Sequence, residues 1–107
     1  MDNLLKDLTA SLRDQEGAMH DALKRLVLIQ SGTHNKAGVD RLCRAVCELV
    51  EPLPLERRIL PQEKYGDMLK VSTDEGGDGR RILLAGHMDT IFPSDSPFSG
   101  WREDGRF

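Results

Sequence analysis

The chain has 107 residues, 38% of them apolar and 31% charged, with a formal net charge of −3 at pH 7. That is room for one small domain of globular composition, and acids and bases interleave so that no basic stripe exists to follow a phosphate backbone, which argues against nucleic-acid binding. No apolar run approaches the roughly 20 residues of a membrane span, and Met1-Asp2-Asn3-Leu4-Leu5-Lys6-Asp7 lacks the basic start and long apolar stretch of a secretion signal, so the expected location is cytoplasmic with no membrane partner.

Leucines at 4, 5, 8 and 12 make a helical stripe over residues 4–12. Asp14-Gln15-Glu16-Gly17 reads as a break or a fresh cap. A second stripe follows, formed by Met19, Leu23, Leu26 and Val27 with Ala22 and Ile29 near the same face. Two helices and one bent helix fit this pattern equally. Ser31-Gly32-Thr33-His34-Asn35 has the composition of a loop. Beyond it Val39, Leu42, Cys43, Val46, Cys47, Leu49 and Val50 recur at i, i+3, i+4 and i+7, the spacing of an amphipathic helix. Thr33 or Asn35 can cap it. Pro52 and Pro54 end it, since proline disfavours helical geometry in the residue before it. Cys43 and Cys47 share a face of this helix, and free cysteine packs as a small apolar residue; both are expected to be reduced and structural.

The period then changes. Leu55 to Leu60 is a weak strand candidate, and Asp67 to Ser72 a better one with Leu69 and Val71 on one face. Gly76-Gly77-Asp78-Gly79 is expected to turn the chain into Arg81-Ile82-Leu83-Leu84-Ala85-Gly86. That run is apolar at consecutive positions, as in a strand buried on both faces at the centre of an α/β sheet. Near the end, Trp101-Arg102 leads into a hairpin-type turn at Glu103-Asp104-Gly105. Only Arg106 and Phe107 follow, fewer than a returning strand needs. The expectation is a truncated piece or a remnant rather than a finished domain.

The apolar run ends in Gly86-His87-Met88-Asp89-Thr90. Side chains two apart on a strand point the same way, so His87 and Asp89 would share a face at the carboxyl end of a buried strand, where ligands bind in open α/β sheets. A metal-bound imidazole commonly donates its second N–H to a carboxylate. Contact between immediate strand neighbours is awkward, so a bend after His87 is expected. Taken alone the pair is common: a given His has an Asp two residues on about one time in sixteen. A buried, hydrogen-bonded histidine and a loop aspartate explain it without a metal. The apolar run before it is what gives the pair a place.

Ile82-Leu83-Leu84-Ala85-Gly86-His87-Met88-Asp89-Thr90 resembles the first metal-site motif of the zinc hydrolase family that includes acetylornithine deacetylase, succinyl-diaminopimelate desuccinylase, aminoacylase and glutamate carboxypeptidase. Leu23-Lys24-Arg25-Leu26-Val27 and Ile29-Gln30-Ser31-Gly32-Thr33 are similar to that family's opening helix and loop. Pro97-Phe98 and Glu103-Asp104-Gly105-Arg106-Phe107 are similar to the stretch leading to its next ligand. The resemblance covers most of residues 16–107, and its specific part is the apolar strand with His-x-Asp-Thr. The Ser-Gly-Thr loop is closest to the glutamate-carboxypeptidase-like branch.

The resemblance implies that His87 is a metal ligand and that Asp89 is the active-site acid supporting it. It implies two zinc ions, replaceable by cobalt or manganese, sharing a water whose pKa they lower while polarising the scissile carbonyl, with a glutamate as general base. It further implies an N-acyl amino acid or peptide as the small-molecule substrate, and homodimeric full-length relatives with a separate dimerisation domain. A catalytic zinc needs about three protein ligands, and this chain offers one convincing candidate, so the 107 residues alone are expected not to catalyse.

The other chemistry-bearing residues read as structural. His34 is an exposed loop histidine, with substrate contact as the alternative. His20 is a boundary histidine beside the apolar stripe. Glu75-Gly76-Gly77-Asp78-Gly79 matches neither a calcium nor a phosphate loop and is expected to be a plain connection. Asp95 is a loop residue. Phe98 and Trp101 are expected to cover the core edge rather than stack on a substrate.

The expected fold is α/β: N-terminal helices plus the first strands of a doubly wound mixed sheet that is incomplete here. Residues 1–15 are an N-terminal helical extension, and residues 16–107 the N-terminal portion of a catalytic domain without its dimerisation domain. Missing neighbours should leave the central strand's apolar surface uncovered. The expected function is that of a fragment of a di-zinc metallohydrolase cleaving an amide bond next to a free carboxylate. The alternatives are a non-catalytic remnant or interaction module that has lost the metal site, and a stand-alone α/β binding protein.

Overall fold

The computed structural model describes residues 1–73, 79–98 and 100–105. Three helices and a two-stranded antiparallel sheet make a small α/β fold. Helix α1 covers Asp2–Asp14 and α2 covers Glu16–Val27. Only Gln15 separates them, at φ −94° and ψ 0°, a sparsely populated backbone region. Hydrogen bonds continue on either side, from Gln15 N–H to Ser11 O at 3.1 Å and from Met19 N–H to Gln15 O at 2.9 Å. The two leucine stripes thus belong to two helices that meet at one residue.

Helix α3 covers Lys36–Val50. Asn35 rather than Thr33 caps it, its side-chain oxygen accepting the Gly38 N–H at 3.0 Å. This satisfies one of the N–H groups that a helix start leaves without a partner. The apolar face of α3 forms the centre of the molecule: Val39, Leu42, Cys43 and Ala45 are buried, and Cys43 most completely. Both cysteines are free thiols, and burial pushes the Cys43 thiol up from its ordinary pKa.

Helix α2 and the strand hairpin pack on α3. Helix α2 turns its half-buried Ala22 and Leu26 toward it, and Arg25 reaches Glu48 at 2.5 Å. Strands β1 (Glu56–Leu60) and β2 (Met68–Ser72) pair in a register that sets Arg58 opposite Lys70 and Ile59 opposite Leu69. The sequence places both strands within a residue of these bounds. The connection between them is pinned to α3 by a polar cluster. Asp40 Oδ1 accepts the Asp67 N–H at 2.8 Å, Asp67 Oδ1 accepts the Gln62 N–H at 2.9 Å, and Lys36 Nζ lies 3.0 Å from both carboxylates. Gly66 presses on Val39, and a Cβ at this position would overlap the valine side chain.

The run Ile82-Leu83-Leu84 departs from its expected place. It has no ladder partner among the described residues, and its side chains are 89–91% exposed. A strand buried on both faces needs neighbours at both edges and a layer on each face. The described residues provide a single hairpin against α3. The whole-molecule figures agree: the accessible surface is 9456 Å², whereas a compact monomer of this mass exposes about 6,000 Å². The radius of gyration is 16.6 Å, against about 13 Å for a compact domain of this length.

Phe98 also differs from expectation. It is 74% exposed and its ring lies beside Phe92, at a centroid distance of 5.3 Å, rather than covering the core edge. Of the turn expected at residues 76–79, residues 76–78 lie outside the described residues, as do Arg106 and Phe107 beyond the turn expected at 103–105. Among the described residues no helix is long and apolar enough to cross a membrane.

Candidate functional site

The segment carrying His87 and Asp89 is held against the loop that precedes α3. Thr90 N–H donates to Ser31 O at 2.8 Å, and Thr33 N–H donates to Thr90 O at 2.9 Å. Together these form a short parallel bridge between Gly32 and Thr90. The approach is tight: a Cβ on Gly32 would stand 3.0 Å from Phe92 O, so a larger residue would push the two segments apart. Small polar residues at 31–33 allow this contact, and Ser31 is buried by it.

Within this bracket lies a chain of three side chains. Thr33 Oγ1 donates to Asp89 Oδ2 at 2.8 Å, and the other carboxylate oxygen, Oδ1, sits 3.1 Å from His87 Nδ1. The contact expected between His87 and Asp89 therefore forms directly, outside any strand ladder. The Thr33 hydroxyl, and after it the His87 ring, hold the Asp89 carboxyl below its ordinary pKa, because hydrogen bonds to the charged form favour that form. A carboxylate oxygen is an acceptor only. A hydrogen bond here puts the imidazole proton on Nδ1 and leaves the Nε2 lone pair unused. The His87 side chain is 90% exposed whereas Asp89 is 32% exposed, so the acid is anchored and the imidazole extends into solvent.

This arrangement presents one oriented nitrogen donor with its carboxylate support. It does not complete a metal centre: among the described residues no group of three His, Cys, Asp or Glu side chains could hold a metal ion. A catalytic zinc requires about three protein ligands, so the residues here fit one corner of such a site and no more.

Thr33 is the site residue that sequence reasoning left out of the site. Its place in a Ser-Gly-Thr loop suggested a helix cap, and only the fold brings it beside residue 89. The other candidates fall elsewhere. His34 is exposed and lies 6.3 Å from the Tyr65 ring, and Asp95 is an exposed loop residue. His20 ties α2 to the last described segment: its ring meets Trp101 edge-on at 5.4 Å, and its Nε2 lies 3.3 Å from Glu103 Oε1. Trp101 Nε1 donates to the same oxygen at 2.5 Å and is the main reason that the Glu103 carboxyl sits below its ordinary pKa. Trp101 thus covers the side of α2 rather than the edge of the α3 core.

Compared with models of known families, with characterised proteins and with solved structures, the chain matches none.

Proposed function

We propose that this chain is the opening part of a zinc-dependent hydrolase cleaving an amide bond next to a free carboxylate, a deacylase or carboxypeptidase of the kind its Gly86-His87-Met88-Asp89-Thr90 segment resembles. The observation that carries the reading is the contact of Asp89 Oδ1 with His87 Nδ1 at 3.1 Å. A carboxylate–imidazole pairing of this kind fixes the tautomer of metal-bound histidines, and it would leave Nε2 as the ligand atom. On this reading His87 is a zinc ligand, Asp89 its support, and residues 16–107 the start of a catalytic domain. The uncovered Ile82-Leu83-Leu84 run then belongs to the doubly wound sheet that the complete domain would build around it.

Calorimetry with zinc at neutral pH, on the wild type and His87→Ala, tests this together with an assay on an N-acyl amino acid and a glutamate-terminated dipeptide. The reading expects weak zinc binding that depends on His87, and no turnover by the 107 residues alone. Tight binding that survives His87→Ala, or turnover by this chain, would contradict it. A second reading, a non-catalytic interaction module, is favoured by the same exposed run, since an apolar patch of this kind marks contact surfaces as well as unfinished cores.

A further inference from the structure

Among the described residues, helix α1 packs on no element beyond its junction with α2. Its thirteen residues bury no side chain, and Leu4, Leu5, Leu8 and Leu12 are 51–60% exposed. A helix of that length is marginal in water by itself, and most helical stability in proteins comes from packing an apolar face. The face has a regular pattern. Leu5, Leu8, Leu12, Met19, Ala22, Leu26 and Ile29 fall at alternating steps of three and four, with Gln15 completing the series, which is the heptad seam of a coiled coil. At its far end Ala22, Leu26 and Ile29 are half-buried, whereas the stripe on α1 is open. Adjoining it is a shallow, open stretch of surface formed by Leu5, Lys6, Thr9, Ala10 and Arg13.

We infer that α1 is a self-association surface, pairing antiparallel with α1 of a second copy of this chain. The charges choose this occupant. Antiparallel pairing about residues 6 and 7 sets Leu5 opposite Leu8 of the second copy. The same superposition brings Asp2 within reach of Arg13 of the second copy, and two-fold symmetry makes that pair twice. Within one chain neither Asp2 nor Arg13 has an ion-pair partner among the described residues. Helix α1 carries Asp2, Asp7 and Asp14 against Lys6 and Arg13, a sum of −1, so two copies repel little. This surface is separate from the His87–Asp89 site and does not depend on the proposed hydrolase reading.

Sedimentation equilibrium of the 107-residue chain across a wide concentration range tests it, with circular dichroism to follow helix content. The wild type should show a reversible monomer–dimer equilibrium. Leu8→Lys should abolish it, and Leu83→Lys should leave it in place. Because Leu8→Lys can also melt α1, charge reversal supplies the decisive pair. Asp2→Arg and Arg13→Asp should each weaken dimerisation by roughly threefold or more, the scale of two exposed ion pairs, and the double variant should recover it. A wild type that stays monomeric throughout overturns the inference. So does a double variant as weak as the singles, or association lost with Leu83→Lys but kept with Leu8→Lys, which would place the contact on residues 82–84.

Discussion

Thr33 and Asp89 stand 56 positions apart in the chain and meet through a 2.8 Å hydrogen bond from hydroxyl to carboxylate. That bond joins the loop before α3 to the segment bearing His87, and it is the main cause of the lowered Asp89 pKa. Replacing Thr33 with Val should raise the Asp89 carboxyl toward its ordinary value, whereas Thr33→Ser should keep it low. Carbon-detected NMR titration of the Asp89 carboxyl distinguishes the two. An equal rise in both variants would show that the hydroxyl is not the anchor.

Among the described residues the core depends on very few side chains, and Leu42 is the largest of those buried on the central helix. Leu42→Ala should cost about 2–5 kcal/mol, from lost transfer energy plus the cavity left behind. For a fold with so small a core that is a large share of its stability. Urea denaturation measures it, and a loss below about 1 kcal/mol would mean that the site collapses freely.

Gly66 and Val39 make a contact that leaves no room for a methyl group. Gly66→Ala should destabilise by roughly 1–3 kcal/mol, the usual cost of overpacking. Shortening the facing side chain should relieve it, so Gly66→Ala combined with Val39→Ala should show a favourable coupling in a double-mutant cycle. Strict additivity would place the strain elsewhere.

The cluster of Lys36, Asp40 and Asp67 ties stability to pH. The Asp67 N–H is the first cause lowering Asp40, the Gln62 N–H is the first cause lowering Asp67, and the Asp40 hydrogen bond is the first cause raising Lys36. A carboxyl whose pKa falls on folding stabilises fully above its unfolded value, about 3.9. That contribution disappears as pH drops through the lower folded value. A lysine whose pKa rises on folding stabilises fully below about 10.4 and loses its contribution as pH climbs through the higher folded value. The contribution of this cluster should therefore be constant through neutral pH, fall below about pH 4 and fall again above about pH 10, read by thermal unfolding of the wild type against Asp67→Asn. Asp67→Asn should lower stability at neutral pH and soften the acid limb.

The exposed apolar run predicts a mutation that stability does not notice. Leu83→Lys changes a side chain 89% exposed, so its effect on unfolding free energy should stay within about 0.5 kcal/mol. Solubility should rise, because an apolar patch is interrupted. A loss of several kcal/mol would mean that Leu83 is buried in solution.

Local patterns in the sequence were enough to place α3, its proline stop, both strands and the buried face through Cys43. Each of these follows from spacing within one element. The cap fell to Asn35 because the Gly38 N–H is reachable from that position, a choice composition leaves open. Ile82-Leu83-Leu84 forms no strand ladder among the described residues, because a consecutive apolar run states what a segment can bury, not whether the neighbours that bury it are there. The His87–Asp89 pair was legible as two residues of suitable chemistry. Thr33 was not, since its role depends on a loop and a segment 56 positions apart lying side by side. The Trp101–His20–Glu103 cluster was missed for the same reason.

The central claim is that Asp89 fixes His87 with Nε2 free to bind a metal, and imidazole ¹⁵N NMR during a zinc titration tests it most directly. The account predicts that neutral His87 carries its proton on Nδ1, that Asp89→Ala removes this preference, and that zinc shifts His87 Nε2 before any nitrogen of His20 or His34. A His87 protonated on Nε2, or zinc engaging His20 or His34 first, would contradict it.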